Sequence, residues 1–170
     1  MKFNILNKFF LSEKEKALDR NVIEEVNDIE LTDEELLQEE MLQYDEHVDF
    51  YYTNIINSLI LYTYNTEELD KMAPVLIDPL TELYEELDYA FLPVLFETVF
   101  RNKLIDVFLK EELLLFKKKV DDTPDEIWDW DVLDIHELWK NIRLDAERLL
   151  HTMNIETREY NAEYITVIKR

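Results

Sequence analysis

Carboxylates dominate the chemistry open to this chain. Glu35 and Glu39 stand four residues apart, as do Asp45 and Asp49, and Glu82 and Glu86 repeat the spacing further on. Residues four apart share a helix face, so each pair sets two like charges side by side at a cost of about 0.2–0.5 kcal/mol. Such groups suit a hard divalent cation, proton transfer at a raised pKa, or attraction of a cationic surface. Their distribution favours the last. Between Arg20 and Arg101 the only basic residue is Lys71, against twenty-one Asp and Glu, and the chain's net charge is −22. The flanks are close to balance. A field concentrated in one region bears on association with a basic partner rather than on fold.

The metal alternatives fare worse. Helical di-iron sites need Glu three residues before His, but Tyr44 precedes His47, Leu133 precedes His136 and Arg148 precedes His151. Helical nucleotide pyrophosphohydrolases hold magnesium through an EExxE segment paired with ExxD. Glu85 and Asp88 match the second pattern. The first pattern fails, since Glu34-Glu35 leads to Gln38 and Glu39-Glu40 leads to Gln43.

Absent residue types exclude other chemistries. Without glycine there is no phosphate-cradling loop and no nucleophile elbow, both of which need a positive φ or a close backbone approach. Without cysteine, disulfides, zinc–thiolate sites and thiol nucleophiles are excluded, which fits a reducing compartment. Direct nucleic-acid binding needs a basic patch, and the single run Lys117–Lys119 is followed by Asp121 and Asp122. The apolar stretch Phe91–Phe116 is interrupted by Glu97, Arg101, Lys103 and Asp106, so it reads as buried helix rather than membrane span. The first eleven residues lack the continuous apolar run of a secretory signal.

The elements that must position these groups read as helices. Ser12 with Glu15 and Thr32 with Glu35 match capping boxes. The first opens a helix over about 13–27, the second a long helix reaching Tyr64. Leu37, Met41, Tyr44, Val48, Tyr51, Ile55, Leu59 and Tyr62 predict one buried stripe along it. Thr66 is expected to cap a short helix ahead of Pro74, and Asp78-Pro79 opens another. A second long helix, about 94–119, is apolar on most sides and is expected to form the centre of the core. Thr123-Pro124 and Asp134 with Glu137 open the last two, with Ile135, Leu138, Trp139, Ile142, Leu149 and Met153 facing inward. The alternation over 160–168 predicts a short strand whose partner by composition is Lys2–Leu6.

The expectation is therefore a mainly α fold, a single-domain helical bundle of about six helices over residues 1–170, with a short C-terminal strand pairing with the N-terminal segment. Its acidic helical composition resembles that of small immunity-type proteins. Function is expected to be binding: a cytoplasmic inhibitor or immunity-type module that covers a basic protein partner, DNA mimicry against a nuclease included. No enzyme activity, cofactor, metal, direct nucleic acid or membrane is expected. The expected contact residues are Glu34, Glu35, Glu39, Asp45, Glu46, Asp49, Glu82 and Glu86. Trp128 or Trp130 would add an apolar anchor, because two Trp two residues apart cannot both face one core. The alternatives are a divalent-metal hydrolase of the pyrophosphohydrolase type and an assembly or scaffold subunit.

Overall fold

A computed structural model describes residues 32–72, 75, 76 and 78–164, without the side chains of 33, 35 and 36. The expected helix over 13–27, the segment Lys2–Leu6 and the stretch 165–168 lie outside the described residues. By internal contact the chain divides into residues 1–36 and 37–170, and the helical bundle belongs to the second unit.

The fold is mainly α. Seven α-helices are described: α1 Asp33–Asp45, α2 Val48–Thr63, α3 Thr66–Lys71, α4 Pro79–Ala90, α5 Pro93–Arg101, α6 Lys110–Asp121 and α7 Glu137–Thr152. Two 3-10 turns, Val107–Leu109 and Asp125–Ile127, join the later ones. Helix α2 is the axis. Every residue from Asn54 to Thr63 is buried, the signature of a helix enclosed on all sides. Helices α4, α5 and α7 pack against it, and α6 packs on α7. Ile55, Leu59 and Ile60 meet Leu83 and Leu87 of α4, Phe96 and Val99 of α5, and Ile142, Ala146 and Leu149 of α7 in one core. Tyr51 and Tyr62 are buried in it, while Tyr52 and Tyr64 are half-buried against it.

The long helix expected to reach Tyr64 is in fact two. The amide of His47 bonds back to Tyr44 O at 3.1 Å, His47 leaves helical geometry, and α2 begins at Val48. At the break Asp45 bonds Arg101 and Asn102, and Asp49 enters the first turn of α2, where the helix dipole favours an acid. The expected stripe also fails at its start, since Leu37 and Met41 are exposed.

The second expected long helix, 94–119, breaks after Arg101, so the core is centred on α2 rather than there. Lys103 takes a left-handed φ of 61°, its amide bonds Phe100 O, and the Leu104 amide reaches Val99 O. That is a Schellman stop with lysine in the place glycine usually holds. Asn154, at φ 59°, ends α7 in the same way.

Two caps differ by one or more residues from expectation. Asn65, not Thr66, caps α3, in a reciprocal box with Glu68. At α7 the cap is His136, whose Nδ1 accepts from Leu138 N at 3.2 Å. Asp134 is diverted to Thr66 and Arg143, and Ile135, expected to face inward, is exposed. Tyr160–Tyr164 form no strand. Asn161 is instead fastened to the Asn57 side chain by two hydrogen bonds of 2.8 and 2.9 Å, its carbonyl accepting and its amide donating.

Candidate protein-interaction surface

Charge compensation is incomplete along the chain: Asp125, Glu126, Asp129 and Asp131, like several acids of α1 and α2, are exposed and without an ion-pair partner among the described residues. Among the described residues every Lys and Arg except Lys103 stands in an ion pair. Lys117 bridges Asp88 and Asp121, Lys119 meets Asp145, and Arg158 holds Glu147 at 2.6 Å. Four pairs join the later helices to one another: Lys110 with Glu97, Lys117 with Asp88, Lys119 with Asp145 and Arg148 with Glu112. Carboxylates of α1 and the start of α2 are left over. Glu39, Glu46 and Asp49 are exposed and without an ion-pair partner among the described residues, and Glu40, which sequence reasoning passed over, joins them. Glu34, which belongs to the first unit, is likewise exposed. The Glu35 side chain lies outside the described residues.

Other expected members serve the fold more directly. Asp45 accepts from Arg101 Nη2 and Asn102 Nδ2, both at 2.5 Å, and the Arg101 hydrogen bond holds its carboxyl below the usual value. Arg101 also reaches Met41 O at 3.3 Å, so one guanidinium fastens the last turn of α1 to the end of α5. Glu82 accepts from the Asp78 amide at 3.0 Å and closes the first turn of α4. Glu86 is half-buried, and burial followed by repulsion from Glu82 and Glu85 raises its pKa. Its charge in turn adds to the burial that pushes the Tyr89 hydroxyl up to about 12 and that of Tyr160 higher. Glu86 thus sits among tyrosines rather than on an open field.

Both tryptophans proposed as anchors pack against the core. Trp128 stands edge-on to Trp139 at 4.8 Å and to Tyr84 at 5.9 Å, and the Trp139 indole donates to Ile127 O at 2.7 Å. Trp130 is half-buried. The large apolar groups that do stand open are elsewhere. Val107 is 72% exposed and Phe108 62%, on the 3-10 turn after α5, and Ile135, Leu144 and Leu42 on other elements are open to a similar degree. For Val107 and Phe108 a sequence signal existed: an apolar pair directly after Asp106, whose side chain caps that turn.

Among the described residues no group of three or more Asp, Glu or His stands close enough to share a metal ion. Asp88, from the ExxD fragment, is held by Lys117 Nζ at 2.6 Å. No described helix is long and apolar enough to cross a membrane. No family model, curated protein or solved structure matches the chain.

Proposed function

We propose that this protein is an acidic binding module that covers a basic surface of a partner protein, acting as an inhibitor or immunity-type factor. A nucleic-acid-binding protein is a natural target, because rows of unpaired carboxylates present the charge that such a protein expects of a phosphate backbone. One observation carries the reading. Cations of the later helices are spent internally, while Glu39, Glu40, Glu46 and Asp49 stand exposed and uncompensated among the described residues. Holding like charges together without counter-charges costs stability, and it is useful where a cationic surface arrives to neutralise them.

Steering by such a field acts on the association rate and weakens with salt. The test is affinity capture at low ionic strength from the cells that make the protein, with wild type beside Glu39→Lys, Glu40→Lys, Glu46→Lys and Asp49→Lys combined. A basic protein is expected on the wild type only. Its association rate should fall at least tenfold between 50 mM and 500 mM salt, with a smaller change in dissociation. Identical captures from both forms would overturn the proposal.

A further inference from the structure

We propose that the face of α2 running from its C-cap Tyr64 through Asn57 to Phe50 is a binding groove for an extended peptide. The chain fills it in cis with its own residues 156–164. The ligand it takes carries Arg three residues, and an aromatic one residue, before the position held by Asn57. This inference goes beyond the acidic surface and does not rest on it.

The contacts set a register. Tyr64 Oη donates to Arg158 O, Asn57 holds both main-chain groups of Asn161, and Phe50 meets Tyr164 edge-on at 5.4 Å. Steps of seven on the helix thus match steps of three on the tail, in opposite directions. Seven helical residues return to nearly the same face and advance about 10.5 Å, while three extended residues advance about 10 Å. The tail therefore runs antiparallel to α2 along one of its faces.

It is held as a ligand is held. Among the described residues 156–164 make no backbone–backbone hydrogen bond. Side chains of the bundle reach the tail's main chain instead, a mode in which backbone bonds give affinity and side-chain sites give specificity. Two such sites are present. Arg158 bonds Glu147 Oε2 through Nε and Nη2 at 2.9 and 2.6 Å, and Tyr160 is half-buried against the core.

The groove also offers more than its own tail uses. Asn57 is 3% exposed and Asn54 9%. Standing three apart, they share a helix face, and Asn54 lies between the contacts to Asn161 and Tyr164. Asn54 Nδ2 has no hydrogen-bond partner among the described residues, and a buried donor left unmet is destabilising. The tail turns as it passes, with Asn161 Oδ1 accepting from Glu163 N at 2.9 Å. A peptide that continued extended would bring a carbonyl to that donor. Asn54 is thus a second rung of the clamp, which the cis occupant does not use.

The probe is a labelled peptide of residues 156–164, titrated onto the full chain and onto the full chain carrying Arg158→Ala with Tyr160→Ala. A tethered tail competes at an effective concentration on the order of mM, so wild type should bind at least tenfold more weakly than the loosened chain. On the loosened chain, Arg158→Ala in the peptide, or methylation of its Asn161 amide nitrogen, should each cost at least tenfold. Neither change touches the fold of the protein. Asn161→Val in the peptide removes the turn and should tighten binding threefold or more. In the wild-type chain the Asn161 amide should exchange with solvent faster than that of Leu59, because the tail opens without the bundle. No binding to the loosened chain, or undiminished binding of the methylated peptide, would overturn the groove. Loss of the helical fold in the loosened chain, or exchange at Asn161 as slow as at Leu59, would do the same by making the tail part of the core. A valine peptide no tighter than its parent would overturn the second rung.

Discussion

Glu86 and Asp45 show how one chemical group is put to opposite uses. Burial and two neighbouring acids raise the Glu86 pKa, so the folded state holds its proton more tightly than the unfolded chain does. Its charge then opposes folding above the folded pKa, and the penalty fades as pH falls toward the unfolded value, about 4.3. Glu86→Gln should therefore raise the melting temperature at pH 7, with a gain that shrinks as pH falls through the folded pKa and is lost below the unfolded value. A gain independent of pH would point to packing instead. Asp45 runs the other way. Its lowered pKa gives stability that is present at neutral pH and lost as pH falls through the folded value. Neither behaviour is legible in the chain. Glu86 and Asp45 sit in similar acidic helical contexts, and what separates them is Arg101, 56 positions after Asp45, and the burial of Glu86. The packing of Trp128 was not legible: helical spacing would set it and Trp130 on different faces, but both lie outside helices and pack on the core, and the edge-on partner Trp139 comes from tertiary structure.

Among the elements, α2 carries the most. Leu59 is fully buried at its centre, and Leu59→Ala should cost about 3 kcal/mol, read as a shifted denaturant midpoint. A cost below about 1 kcal/mol would move the core's centre elsewhere. The helical stops without glycine make a second prediction. A left-handed residue other than glycine is strained by about 1–2 kcal/mol, offset in part by the entropy glycine would lose on folding. Lys103→Gly should thus stabilise by roughly 0.5–1 kcal/mol. Asn154→Gly should gain less, because asparagine tolerates that geometry. Equal gains, or none, would remove strain from the account. The elements themselves were largely legible, since apolar periodicity and the proline at the start of α4 mark helices from local chemistry alone. Their ends were less so. The capping signal before α3 was real but belonged to Asn65, one residue earlier, and Asp134 was taken from its expected cap by Thr66 and Arg143. The break at His47 falls inside a continuous apolar periodicity, so no local pattern marks it.

For the molecule as a whole, a net charge of −22 means that folding gathers repelling charges into a smaller volume. Adding salt shortens the screening length from about 30 Å at 0.01 M to about 3 Å at 1 M. Stability should accordingly rise by about 1 kcal/mol over that range, or roughly 2–4 °C in melting temperature. A fall would show that the internal ion pairs outweigh the repulsion.

The central place of α2 also sets a timetable for birth on the ribosome. Residues 48–63 are made early, yet the helix that closes over them, α7, spans residues 137–152. At roughly 5–20 residues per second, the closing surface follows by roughly 4 to 18 s. Throughout that interval the nascent chain carries a helix with no partner on one side. Its safety then depends on the dense negative charge translated around it, which keeps neighbouring nascent chains apart until the bundle can shut.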